Sequence, residues 1–179
     1  PVRPGFHDND RPVSDFLGGG ENVRAKDFMA IHQRPEIFWA AMVLDGMFER
    51  FPGLRGASVE EGAMWVVPWI RRLDRAMQFA KTEAPLRDLT KLPSEYVLSN
   101  VHFTFQDDKT AYESPQMVDS KCLMWANDFP HTDSTWPHTK KVAEELMAGV
   151  PQDVVDKAMR TNAIRMLHLD LDRDHVPST

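Results

Sequence analysis

The chain has 179 residues, 42% hydrophobic and 27% charged, which suits one globular domain with a sizeable core and excludes wholesale disorder. Its 21 Lys and Arg against 27 Asp and Glu give a formal charge of −6, which argues against a nucleic acid or an anionic membrane surface as partner. The single cysteine, Cys122, allows no intramolecular disulfide and suits the cytoplasm, and no run approaches the roughly 20 apolar residues of a membrane span.

The N-terminal PVRPGFHDND has neither an initiator methionine nor the charged-then-apolar pattern of a secretory signal. Val2 to Phe6 is a first strand candidate, ended by His7, and Asp8 to Lys26 reads as a loop containing Gly18, Gly19 and Gly20. Pro35 opens a helix in which Ile37, Phe38, Ala41, Leu44 and Phe48 recur at three- and four-residue spacing. After the turn FPGL, Leu54 to Val59 is the second strand candidate, ended by Glu60 and Glu61. A helix is predicted over Val66 to Phe79, with Pro68 tolerated in its first turn and Ile70, Leu73, Met77 and Ala80 on its buried face.

Tyr96 to Phe105 is β-rich and holds the third strand candidate, in which Val101, Phe103 and Phe105 alternate with His102 and Thr104. Cys122 to Ala126 is the fourth, with Cys122 as a buried thiol and Asn127 and Asp128 at its end. Helices follow from His138 to Ala148 and from Pro151 onward, separated by Gly149. Lys140 and Lys141 are spaced to pair with Glu144 and Glu145. Residues 1–170 thus form the predicted domain and 171–179 a polar tail. Short apolar strands alternating with helices predict an α/β fold around a parallel sheet.

Three of these strands end in a potential ligand or acid–base group: His7, Glu60 and Asp128. Parallel α/β proteins bind ligands at the C-terminal ends of their strands, so the three are candidates together. Asp128 suits a metal ligand or general base, and His131, three residues on, suits a substrate contact or an orienting group. The structural alternatives are a turn-capping Asp128 with His131 packed on Trp136, and a Glu60 paired with Arg71 or Arg72. His32 and His102 are further pocket candidates, whereas His138, His168 and His175 read as surface residues. Trp39, Trp65, Trp69, Trp125 and Trp136 read as core, although Trp65 and Trp136 flank the proposed site.

WANDFPHTDSTWP resembles the last-strand signature of the amidohydrolase-related family (amidohydrolase 2, aminocarboxymuconate-semialdehyde decarboxylase-like), in which S-D-[YF]-P-H precedes D-S-T and Pro. Asn127 stands where that pattern has Ser. ERFPGLRGASVEEGAMWVVPWIRRLDR resembles the preceding FP-x-L and E-x-G-x-x-W-x-P block, with Glu60, Gly62 and Trp65 at its marked positions. LPSEYVLSNVHFTF and RTNAIRMLHLD resemble the P-S-E-Y and N-A-x-R-x-L segments, and all four blocks stand in family order.

The resemblance implies the C-terminal half, strands five to eight, of a (β/α)₈ TIM barrel. It implies a metal-dependent hydrolase or decarboxylase acting on a small, carboxylated or aromatic, organic molecule. The family's metal site draws on strand one, a strand-five His and a strand-eight Asp; these last two correspond to His7 and Asp128, and strand one has no counterpart here. The implied cofactor is therefore a divalent ion, Zn or Mn, in a site that this chain completes only in part. Many members carry a catalytic His where this chain has Glu60, so the decarboxylation mechanism tied to that His does not transfer. Asp128 and Glu60 are the implied catalytic pair, with His131, Trp65 and His32 as substrate contacts. A small-molecule substrate and a homo-oligomeric full-length form are the expected partners, and residues 1–179 alone are expected to be inactive. The competing expectations are a non-catalytic barrel with a structural or partner-binding role, and a self-contained α/β binding module.

Overall fold

The computed structural model describes residues 29–79, 88–114, 117, 121–131 and 134–170. The first strand candidate, His7, the glycine loop, His175 and the tail 171–179 lie outside the described residues. The segment after Pro35 is helical, as α1 (Gln33–Leu44), and turns at Gly46 into the short α2 (Met47–Arg50). The expected stripe does not form its buried face: Ile37 and Phe38 are exposed, Trp39 and Val43 are the buried residues of α1, and Phe48 is buried from α2. Strand β1 (Gly56–Ser58) follows, then α3 (Val66–Phe79), with the bounds expected for it.

The structure corrects the reading of the next segment. Tyr96 to Asn100 belongs to helix α4 (Pro93–Asn100), and only Val101–Phe105 forms β2. Pro93 occupies a first-turn position where its missing N–H leaves no bond unmade. The Leu92 N–H donates to the Glu95 carboxylate at 2.8 Å and the Ser94 N–H to Asp74 at 2.8 Å, so these first-turn donors are satisfied. These caps outweigh the β preference of Tyr96 and Val97. Beyond α5 (Thr110–Glu113) come β3 (Leu123–Trp125) and α6 (Thr139–Leu146). The chain closes with α7 (Gln152–Asp156), a π-helical turn (Lys157–Thr161) and α8 (Asn162–Leu167).

The strands form a parallel sheet in the order β1-β2-β3, with Ala57 opposite His102 and Thr104 opposite Met124. All five residues of β2 are buried, so its alternating composition does not produce one wet face. Val101, Phe103 and Phe105 join Trp39, Trp65, Trp69 and Ile70 in the core beneath the helices. Gly56 is required there because a Cβ would lie 2.3 Å from the Trp39 ring. Cys122 is buried, as expected. Asn162, 1% exposed, donates from Nδ2 to the Leu123 carbonyl at 2.8 Å and so fastens the closing helix to β3. Lys140–Glu144 and Lys141–Glu145 pair at 3.9 and 3.7 Å. Among the described residues, no helix is long and apolar enough to cross a membrane.

Candidate active site

The chain leaving each strand contributes to one cleft of about 630 Å³. Val59 to Gly62 follow β1, Gln106 to Asp108 follow β2, and Ala126 to Phe129 follow β3. This is the end of a parallel sheet where side chains from separate loops converge without disturbing the strands.

The β1 loop is held by its backbone. The Glu60 N–H donates to the Thr104 hydroxyl at 3.0 Å and the Ala63 N–H to the buried Asp108 carboxylate at 3.1 Å. Trp65 donates from Nε1 to the Gly62 carbonyl at 3.0 Å, so this wall of the cleft is pinned from beneath. Glu60 itself has φ 68, in the left-handed region that a non-glycine residue seldom occupies. Asp128 at the end of β3 has φ 57. Its loop is closed by the Phe129 N–H on Asn127 Oδ1 (3.2 Å) and by Ser134 Oγ–H on the Asn127 carbonyl (2.7 Å).

These loops bring three of the expected site residues together. His131 Nδ1 lies 3.0 Å from Asp128 Oδ1 and 3.3 Å from Glu60 Oε1. One ligand-capable atom from each of the three falls within 4.8 Å of the others. Asp128 is the most withdrawn from water, with a side chain 13% exposed against 55% for Glu60. Glu60 meets His131, Arg72 pairs with Glu36 at 3.9 Å, and the His131 ring nitrogen Nδ1 meets both carboxylates, while the His131 N–H also closes a turn on the Asp128 carbonyl at 2.9 Å.

The remaining candidates separate. Trp65 and His32 line the cleft with their rings stacked at 6.3 Å, and His32 also meets Glu36 at 3.5 Å. His102 is buried in β2 with Nδ1 unpartnered, and burial pushes its pKa below the usual imidazole value, against a hydrogen bond with the Gly56 backbone. Trp136 departs from its expected place in the core: it is 62% exposed and meets Phe129 edge-on at 5.5 Å.

Glu61 was not among the sequence candidates. It lines the cleft, its Oε2 is buried without a hydrogen-bond partner, and its pKa is pushed up to about 7 by burial and then by the Glu60 charge. The signal was present as two consecutive carboxylates after a short strand, but nothing local distinguishes the buried one from the exposed one. Asp108 was also missed; its buried carboxylate, from the segment after β2, accepts the Ala63 N–H and so holds the β1 loop.

The amidohydrolase family model matches residues 27–169. No curated protein matches the chain. Among solved structures, an amidohydrolase from Mycobacterium avium subsp. paratuberculosis K-10 is 22% identical, with a TM-score of 0.66 over 87% of this chain and 39% of its own. A 5-carboxyvanillate decarboxylase from Sphingomonas paucimobilis is 25% identical, with a TM-score of 0.58 over 73% of this chain and 38% of its own. A dihydroxybenzoic acid decarboxylase from Polaromonas sp. JS666, solved with manganese and 2-nitroresorcinol, is 15% identical, with a TM-score of 0.60 over 92% and 48%. The chain thus spans less than half the length of each of these three structures. The family match covers most of the sequence, including every described strand and the cleft: the chain belongs to the amidohydrolase family.

Proposed function

We propose that this chain supplies strands five to eight, within residues 1–170, and one wall of the active site of a metal-dependent hydrolase or decarboxylase acting on a small organic molecule. The observation that carries the reading is the meeting of Glu60, Asp128 and His131 at the strand ends, two of them on left-handed backbone. Two carboxylate oxygens and an imidazole nitrogen within 4.8 Å of one another fit a divalent ion such as zinc or manganese. His7, outside the described residues, is proposed as a further ligand, and the rest of the set belongs to the strands this chain does not contain.

Such an ion, when bound, polarises a substrate oxygen and lowers the pKa of water. The chain's own residues hold and move the proton. Asp128 accepts it at Oδ1 and returns it to the leaving group, while His131 Nδ1, 3.0 Å away, fixes the orientation of that carboxylate. Glu60 Oε1 meets the same Nδ1 of His131 at 3.3 Å, and Trp65 and His32 form the wall against which the substrate lies. Because Glu60 cannot serve as a neutral imidazole donor, it acts here as a ligand or proton acceptor.

The test is Mn²⁺ binding, followed by electron paramagnetic resonance, for the chain and for Asp128→Ala and His131→Ala. Each substitution is expected to weaken binding by about tenfold or more. Unchanged affinity in both would remove the basis for the reading. Residues 1–179 by themselves are expected to turn over no substrate, because they hold only part of the ligand set.

A further inference from the structure

His32, on the cleft wall, meets a carboxylate that no sequence motif marked. Its Nε2 lies 3.5 Å from Glu36 Oε1, one turn on, and its ring stacks on Trp65 with centroids 6.3 Å apart and planes at 22°. We propose, on the reading that this cleft is the substrate site, that Glu36 is a positioning residue. It holds the His32 ring against Trp65 with the ring proton on Nε2, so that Nδ1 offers an acceptor to a hydroxyl or N–H of the substrate.

The arrangement starts in the sequence HQRPE. His32 immediately precedes α1, and the Glu36 N–H donates to its carbonyl at 3.0 Å. Residues four apart on a helix share a face, so this backbone bond alone sets the two side chains next to each other. Pro35, between them in the first turn, fixes one backbone dihedral where no N–H is needed. The Glu36 side chain is 20% exposed, and a carboxylate partly withdrawn from water acts on a neighbouring imidazole more strongly than a fully solvated one. Arg72 of α3 lies 3.9 Å from the other oxygen, Oε2, which leaves Oε1 to the ring. With its side chain 76% exposed, Arg72 orients the carboxylate more than it stabilises it. Trp65 gives the ring a fixed backing. It is buried, its Nε1–H donates to the Gly62 carbonyl, and it meets Trp69 and Phe103 edge-on at 5.3 and 5.4 Å. A neutral imidazole carries its proton on one nitrogen, and a carboxylate beside Nε2 selects that nitrogen. The ring, which lines the cleft, is then left with Nδ1 as its acceptor.

The experiment records ¹⁵N and ¹³C NMR spectra of the histidine rings in EDTA at about pH 9, above the ordinary imidazole range. His32 is assigned by the loss of its signals in His32→Asn. The wild-type ring is expected as a single tautomer with the proton on Nε2, and with NOEs to Trp65. Glu36→Ala is expected to bring in the second tautomer, so that the two nitrogen shifts move toward each other, and to weaken those NOEs. Glu36→Asp keeps the negative charge that favours the first turn of a helix, but is one methylene too short to reach the ring. It is expected to match Glu36→Ala at His32 and the wild type in melting temperature. A Glu36 that served the helix alone would leave the His32 spectrum unchanged in both variants. That result, or mixed tautomers in the wild-type ring, would overturn the proposal. No metal enters these spectra, so a failed Mn²⁺ measurement and a failed His32 measurement are told apart.

Discussion

Glu60 and Asp128 end different strands, yet both hold the left-handed backbone, at φ 68 and φ 57, and both carboxylates meet Nδ1 of His131. Glycine takes that conformation without penalty, whereas a residue with a long side chain pays for it. That two carboxylates share it at the same cleft means the fold sustains unfavourable backbone to aim charge at one point.

Glu60→Gly is therefore expected to stabilise the protein, by about 1 kcal/mol, while weakening divalent-ion binding. The half-exposed Glu60–His131 pair removed with it contributes little, about 0.5 kcal/mol or less. Chemical denaturation with and without Mn²⁺ measures both effects, and a destabilised variant would contradict the strain argument.

Asp128→Asn separates conformation from charge. Asparagine tolerates positive φ and keeps an oxygen for His131, so unfolding stability is expected to stay within about 1 kcal/mol. Ion affinity falls, because the charge is gone. Loss of folding would show that the carboxylate, not the backbone, holds the β3 loop.

Glu61 makes stability depend on pH. Its folded pKa is about 7, raised above the ordinary carboxylate value, so the folded state binds the proton more tightly than the unfolded one. Stability is then highest below the ordinary value of 4.5 as far as this group is concerned, and falls as pH rises toward 7. Glu61→Gln in EDTA is expected to leave the unfolding free energy, measured by urea denaturation, nearly unchanged near pH 4.5 and to raise it near pH 8, by on the order of 1 kcal/mol after allowance for partial exposure. An equal effect at both pH values would show that the carboxyl is not the source.

Gly56→Ala drives a methyl group into the Trp39 ring at 2.3 Å. The ring is held by the core, including Phe48 stacked at 6.5 Å, so it cannot move away freely. A loss of about 1–3 kcal/mol is expected from urea unfolding. Wild-type stability would show that Trp39 has room to shift.

Asn162→Ala removes the donor to the Leu123 carbonyl from a fully buried position. A loss of about 2 kcal/mol is expected, with faster amide exchange in β3, because the carbonyl is left without this partner. Unchanged exchange would mean that the closing helix is not what holds that strand.

Strands β1 and β3 and helices α3 and α6 were legible because apolar periodicity and turn residues act over a few residues, whereas α1 was legible as a helix but not in its buried face, which is Trp39 and Val43 instead of Ile37 and Phe38. The ordered motif blocks likewise pointed to the family that the sequence match shows over residues 27–169. The β preference of Tyr96 to Asn100 misled because it is weak beside the Pro93 and Glu95 first-turn arrangement that starts α4. Trp136 misled because a tryptophan's composition says nothing about which neighbours arrive to cover it; here Phe129 covers only its edge.

By itself, then, the sequence determined the alternation of strands and helices and the acidic residues that follow two of the strands, since both are local properties. Only the tertiary structure decided that His131 joins Glu60 to Asp128 and that Glu61 rather than Glu60 holds a buried oxygen. Pairing and burial depend on which distant residues share a volume. That information lies in the packing of separate strands, and no local pattern contains it.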